Sequence, residues 1–81
     1  MSGFLVPHST PWMREAWRDM DPDTLDRIAA AIPDGLIVGV SVFNGHKGLY
    51  RAWVGIETTD EPYASVEAAV RAVLEKVEVA A

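Results

Sequence analysis

Three aspartates at alternate positions, Asp19, Asp21 and Asp23, form the pattern in this sequence that most resembles metal chemistry. A D-x-D-x-D run opens calcium-binding loops, because alternate carboxylates can point at one hard cation. The rest of that motif is missing, since Thr24 stands where a glycine makes the sharp turn and Ala30 where a glutamate closes the site. Helix capping explains Asp21 and Asp23 without a metal. We therefore predict no metal site and no cofactor.

The same aspartates offer a second kind of chemistry, which is the recognition of a basic surface on another protein. Asp26 follows them closely in the sequence. We refer to Asp19, Asp21, Asp23 and Asp26 as the acidic cluster and treat it as one candidate partner-binding surface.

Catalysis by a general base or an activated nucleophile would normally use a histidine, and the chain has 2, His8 and His46. Neither stands in a pattern with a carboxylate and a hydroxyl: His8 lies in a turn-like segment and His46 in a hairpin loop. The glycines do not form a G-x-G-x-x-G sequence that opens a helix. We expect a protein that is not an enzyme.

The chain of 81 residues is long enough for a single hydrophobic core, so we expect residues 1–81 to form one domain with flexible ends at residues 1–8 and 79–81. The absence of cysteine excludes disulfides, thiolate metal sites and thiol nucleophiles. There is no basic region followed by a long apolar run, and no apolar segment approaches about 18 residues. These features predict a cytoplasmic protein without a membrane span.

The charge balance is acidic, with 12 Asp and Glu against 7 Lys and Arg and a net charge of −5. A surplus of negative charge opposes contact with a phosphate backbone. Direct binding of nucleic acid is therefore not expected, and the charge also keeps a small domain in solution.

The segment from Gly35 to Glu57 predicts a β-hairpin, because two runs of β-branched and aromatic residues flank a turn signal. One apolar face is formed by the even-numbered residues Val38, Val40, Val42, Tyr50, Ala52, Val54 and Ile56. The opposite face, which we call the odd face, consists of Ile37, Gly39, Ser41, Phe43, Leu49, Arg51, Trp53 and Gly55. The odd face is not cleanly polar, so something should cover it or bind it.

The hairpin turn follows from which residues must share a face. A two-residue Asn44-Gly45 turn would set even positions against odd ones. A three-residue loop with Gly45 left-handed would pair Val42 with His46 and Val38 with Tyr50, keeping even against even. We favour that loop, or a longer one that reaches Gly48.

The odd face is the second candidate binding surface, because Trp and Arg are types that anchor interfaces. Its candidate contact residues, with two from the adjoining loop, are Phe43, His46, Lys47, Leu49, Arg51 and Trp53. Three candidates could cover the odd face. The first two helices could pack on it, with Trp12 or Trp17 meeting Trp53; a second copy could cover it in a homodimer; or a target protein could bind it.

Three amphipathic helices are predicted around the hairpin. The first begins at Ser9-Thr10-Pro11 and the second at Asp21-Pro22, each with a cap before a proline, and Ser65 caps the third. Their apolar stripes are Met13, Ala16, Trp17 and Met20; Leu25, Ile28, Ala29 and Ile32; and Val66, Val70, Val73, Leu74 and Val77. We expect an α+β fold of order ααββα, with the antiparallel hairpin against the last helix and a short extra strand at Phe4 to Val6.

The hairpin, the polar loop after it and the run Ser65-Val66-Glu67-Ala68-Ala69 resemble the end of double-stranded-RNA-binding domains and of HicB-like antitoxin domains. The resemblance covers about half of the chain and implies a nucleic-acid-associated regulatory role using Lys47, Arg51 and Arg71. The last helix carries Glu67 and Arg71 where an RNA-binding domain has a Lys-rich start.

The whole chain is similar in size and composition to the small inhibitors that phages encode against bacterial defence systems, including anti-CRISPR proteins. It is acidic, free of cysteine and short enough for one domain. This similarity implies an inhibitor or adaptor that works by binding another protein.

Overall fold

The computed structural model describes residues 3–43, 48–59 and 61–80 and has an α+β fold, as predicted. Its elements are β1 (Phe4–Pro7), α1 (Pro11–Asp19), α2 (Pro22–Ala30), β2 (Ile37–Val42), β3 (Tyr50–Val54), β4 (Glu57–Thr58) and α3 (Val66–Ala80). None of these helices has the length and apolar character needed to cross a bilayer.

The strands form one mixed sheet in the order β1-β2-β3-β4. β1 runs parallel to β2, whereas β2–β3 and β3–β4 are antiparallel. The predicted N-terminal strand is therefore confirmed as an edge strand. The two helices α1 and α2 form the crossover between the parallel strands, as a parallel connection requires.

The N-terminal segment is tied to the rest of the fold by its backbone. Beyond the pairing with β2, the amide of Gly3 donates to the carbonyl of Ile32 at 3.0 Å, and the amide of His8 donates to the carbonyl of Val40 at 2.8 Å. The part of residues 1–8 that the structure describes thus belongs to the sheet.

The three helices begin where the sequence predicts. Thr10 and Asp21 precede Pro11 and Pro22, the first residues of α1 and α2, although neither cap side chain bonds to the helix backbone. At the start of α3, the amide of Ala68 donates to Ser65 Oγ at 3.1 Å. Only the third predicted cap therefore makes the expected hydrogen bond.

The core lies between the even-numbered face of the sheet and all three helices. Its buried residues are Met13, Ile28, Ile32, Val38, Val40, Val42, Ala52, Val66, Ala69, Val70 and Val73. Trp17 packs against this core from α1. One of the three alternatives for the odd face, in which α1 and α2 cover it and Trp12 or Trp17 meets Trp53, is wrong, because both helices join α3 on the other side of the sheet.

The hairpin register pairs Val42 with Tyr50 and Val40 with Ala52. Pairing of even with even residues is confirmed, and so is the longer loop that reaches Gly48, whose φ is 83°. The pairings of Val38 with Tyr50 and of Val42 with His46 are wrong, because the loop is longer than three residues. The predicted left-handed Gly45 lies outside the described residues.

The second arm ends earlier than predicted. β3 stops at Val54, and a turn through Gly55, which has a φ of 60°, reverses the chain into the two residues of β4. Ile56 sits in this turn and is 95% exposed. Its assignment to the apolar face is therefore wrong, because the left-handed glycine interrupts the alternation of the strand.

Candidate functional site

The odd face of the sheet is open over much of its area. Parallel pairing places Phe4 beside Ile37 and Val6 beside Gly39, so β1 extends this face. Phe4, Val6 and Ile37 are 60%, 40% and 58% exposed. We call these three residues the apolar margin. Adjacent exposed apolar side chains of this kind are typical of interaction surfaces.

Trp53 lies at the centre of the odd face. Its register partner is Gly39, and a Cβ added to Gly39 would overlap Cε2 and Cζ2 of the indole. The His8 ring contacts the indole of Trp53, with the ring centroids 5.8 Å apart and the ring planes at 77°. The glycine makes room for the indole to lie close to the sheet, which leaves Trp53 half-buried.

Arg51 is held in place by two neighbours. Its guanidinium carbon lies 5.8 Å from the centroid of the Phe43 ring, within the range of a cation–π contact. Its Nη2 donates to Thr58 Oγ1 at 3.0 Å, and that hydroxyl in turn donates to the carbonyl of Thr59 at 3.1 Å. The side chain is half-buried. A cation fixed in this way can receive a ligand without first losing much rotamer freedom.

A shallow concavity of about 430 Å³ lies between Trp53 and Arg51 and is lined by His8, Ser41, Arg51, Trp53 and Thr58. It mixes aromatic surface with hydroxyl and cationic groups. Such a surface suits a side chain of a protein partner, which combines apolar contact with a few polar contacts.

The structure brings together part of the predicted odd-face site. Phe43, Arg51 and Trp53 lie on the same face, and the amide of Phe43 donates to the carbonyl of Leu49 at 2.8 Å where the strands open into the loop. His46 and Lys47 lie outside the described residues. The odd-face half of the predicted site therefore has a defined geometry at its centre.

The acidic cluster lies on the helical layer, away from the odd face. Asp19 ends α1, Asp21 precedes α2, and Asp23 and Asp26 are in α2; all four are exposed. Asp21 Oδ2 accepts a hydrogen bond of 3.3 Å from Thr24 Oγ1. Over the described ranges, no group of three or more His, Cys, Asp or Glu has a metal-site arrangement. The two candidate surfaces are thus separate.

Of the cations that the RNA-binding resemblance implies, the two described ones lie on opposite sides of the sheet. Arg51 is on the odd face, whereas Arg71 projects from α3 and lies 3.8 Å from Glu67. Glu67 also meets Arg27 of α2 at 3.4 Å. Lys47 lies outside the described residues.

Sequence reasoning missed Phe4, Val6, His8 and Thr58 as members of this surface. The first three depend on the parallel pairing of β1 with β2, and Thr58 depends on the short strand β4, which pairs it with Trp53. The sequence signal in this segment was the short apolar run Phe4-Leu5-Val6. Four residues are too few for that signal to identify a partner strand.

No family model, no curated protein and no solved structure matches the chain. The function must therefore be argued from the surface itself.

Proposed function

We propose that this protein is a non-enzymatic protein-binding module that acts in the cytoplasm as an inhibitor or adaptor of another macromolecule, in the manner of a phage anti-CRISPR inhibitor. Its binding surface is the odd face with the apolar margin. The protein would act by occupying a surface of its target.

The observation that supports this proposal is the open sheet face with Trp53 and Arg51 at its centre. In an α+β protein with one helical layer, a solvated sheet face is usually polar. Here Phe4 and Ile37 are 60% and 58% exposed beside the half-buried indole. Aromatic and Arg side chains surrounded by apolar area are the composition of interface hot spots.

The contacts of His8 favour binding over catalysis. A general base must lie within hydrogen-bond reach of the proton that it removes, and a polar partner normally orients its imidazole. The His8 ring instead meets the edge or face of Trp53, at a centroid distance of 5.8 Å. In this position the imidazole contributes to the aromatic surface of the odd face.

Affinity capture from the native host, followed by quantitative mass spectrometry, tests the proposal. The baits are the wild type, Trp53→Ala and Arg51→Glu, with Trp12→Ala and Arg14→Glu as matched controls on α1, where both residues are exposed. We expect one protein to be captured by the wild type and both controls and to be depleted at least tenfold on the two odd-face baits. Equal capture by all folded baits would contradict the proposal.

A gel-shift series at low salt with duplex DNA and duplex RNA tests the nucleic-acid-associated alternative. We expect no retarded band, because a net charge of −5 opposes the phosphate backbone. Salt-sensitive binding that Arg51→Glu abolishes would favour the antitoxin-like function instead.

A further inference from the structure

We propose that the odd face recognises an acidic and apolar protein segment, in which a carboxylate binds to Arg51 and apolar side chains cover the apolar margin. This inference rests on the proposed function, because it assumes that the odd face is the binding surface. It adds the chemistry of the partner.

The Arg51 guanidinium is held in place by its neighbours and keeps donors available for a ligand. One of its five N–H donors is used by Thr58 Oγ1 at 3.0 Å, and its flank lies over the Phe43 ring. In the described part of the chain, no carboxylate lies within ion-pair distance of it, since the observed pairs involve Arg27, Arg71 and Lys76. A guanidinium that is positioned but not paired is suited to a carboxylate, which it can bind through two parallel hydrogen bonds.

The charge of the odd face differs from that of the chain as a whole. The chain has 12 acidic and 7 basic residues, yet the described residues of the odd face include no carboxylate. They are the odd-face residues Ile37, Gly39, Ser41, Phe43, Leu49, Arg51, Trp53 and Gly55, together with Phe4, Val6 and Thr58 from the neighbouring strands. The side chain of Glu57 falls on the other face, where its Oε2 lies 4.0 Å from Lys76 of α3. The described part of the odd face is therefore cationic and apolar on a protein with a net charge of −5, which favours a partner of the opposite charge.

Charge also distinguishes a target protein from a second copy of the chain as the occupant of the odd face. In a twofold dimer formed face to face, each odd face would meet the same set of residues. Two Arg51 side chains would then be buried together, and the described residues of the two faces supply no counter-ion, which is costly. A partner that brings a carboxylate avoids this cost, so we assign the odd face to a different protein rather than to a twofold copy.

The sheet edges are less suited to binding than the face. β1 has only four residues, and Pro7 has no N–H to offer to an added strand. β4 has only two residues. Strand addition needs a row of free backbone donors and acceptors. We therefore assign recognition to side chains of the odd face.

The distance between Arg51 and the apolar margin gives the minimum length of a peptide that contacts both. Arg51 pairs with Ser41, and Ile37 lies four residues earlier on β2, a separation of about 13 Å along a strand. A peptide of about 12 residues spans up to about 40 Å when extended, so it can reach both.

Selection from a library of random peptides of about that length, displayed on phage, tests the inference. The immobilised proteins are the wild type, Arg51→Gln, and Arg18→Gln as an exposed control on α1. We expect peptides selected on the wild type to be enriched in Asp or Glu together with large apolar residues. Synthetic copies of these peptides should bind Arg51→Gln at least tenfold more weakly than they bind the wild type. They should bind Arg18→Gln as tightly as the wild type.

A charge reversal strengthens the test. Replacing the acidic residue of a selected peptide with Lys should abolish binding to the wild type and restore binding to Arg51→Glu. Enriched peptides without acidic residues, or binding that is indifferent to Arg51→Gln, would overturn the inference.

The Ile37→Lys variant separates failure of this inference from failure of the proposed function. If the selected peptides lack acidic residues but lose binding to Ile37→Lys, the odd face binds proteins and only the acidic partner is wrong. If no peptide depends on Ile37 or Arg51, both proposals fail. Sedimentation equilibrium that shows a dimer for the wild type and a monomer for Ile37→Lys would assign the face to a second copy and overturn the inference.

Discussion

The indole of Trp53 occupies the space beside Gly39 that a Cβ at that position would need. The two residues are register partners on β3 and β2. This relationship fixes the centre of the odd face, because the absence of one side chain allows another to lie close to the sheet. The surface around Trp53 carries Arg51 on one side and the apolar margin on the other.

Gly39→Ala should therefore displace Trp53. We expect a loss of about 1 kcal/mol or more in the free energy of unfolding, since forcing a methyl group into a packed contact typically costs about 1–3 kcal/mol. Urea unfolding measures the loss, and the indole N–H resonance of Trp53, assigned with Trp53→Phe, should shift. Ser41→Ala, on the same face, should stay within about 0.5 kcal/mol of the wild type. An unmoved resonance in Gly39→Ala would contradict the contact.

The hydroxyls that precede α1 and α3 should differ in their effect on stability. Ser65→Ala removes the bond from the amide of Ala68 and should cost about 1 kcal/mol. Thr10 Oγ1 is buried and makes no hydrogen bond to the described residues. Thr10→Val should therefore be neutral or stabilising, because it removes a buried polar atom that has no partner there. Urea unfolding of both variants checks the contrast, and equal losses would contradict it.

Met13 tests the position of α1 beneath the sheet. Its side chain is fully buried, at 0% exposure, in the core on the even face. Met13→Ala should cost about 2–5 kcal/mol, which is a large part of the stability of a small domain. Thermal unfolding followed by circular dichroism measures the loss. The exposed neighbour Arg14→Ala should change stability by no more than about 0.5 kcal/mol. A small loss for Met13→Ala would mean that α1 does not pack there.

Ile37 and Val38 are neighbours in β2 that face opposite sides of the sheet, with exposures of 58% and 0%. Ile37→Lys should fold normally, because the ammonium group remains in water. Val38→Lys should unfold the protein or weaken it by several kcal/mol, because it buries a charge without a partner. Circular dichroism and urea unfolding of the two variants measure the difference. Similar stabilities would contradict the assignment of the core to the even face.

The sequence alone predicted the helices, the hairpin and the α+β class, because helical periodicity and strand alternation are local signals. Val66, Val70 and Val73 repeat at helical spacing and are buried as expected. The pattern did not predict which face of the sheet α1 and α2 would cover. An apolar stripe shows that one side of a helix is buried, but it does not show which surface the helix packs against. Here the crossover to a parallel strand placed both helices beside α3.

The candidate site was predictable in part for the same reason. Alternation along the arms placed Arg51 and Trp53 on one face. Phe4 and His8 joined that face only through the pairing of β1, which is a long-range contact that no local pattern encodes. Thr58 joined through β4, because the left-handed Gly55 allows a turn that the alternation did not indicate.

Thiol labelling tests the central claim, that one sheet face is core while the other is a free binding surface. The chain has no cysteine, so Ile37→Cys, Val38→Cys and Ile56→Cys each introduce one reporter. We expect rapid labelling of Ile37→Cys and Ile56→Cys in the isolated protein and slow labelling of Val38→Cys. When each variant is saturated with the partner protein identified by affinity capture, only the labelling of Ile37→Cys should become slower. Protection of Ile37→Cys in the isolated protein, or labelling that the bound partner leaves unchanged, would contradict the claim.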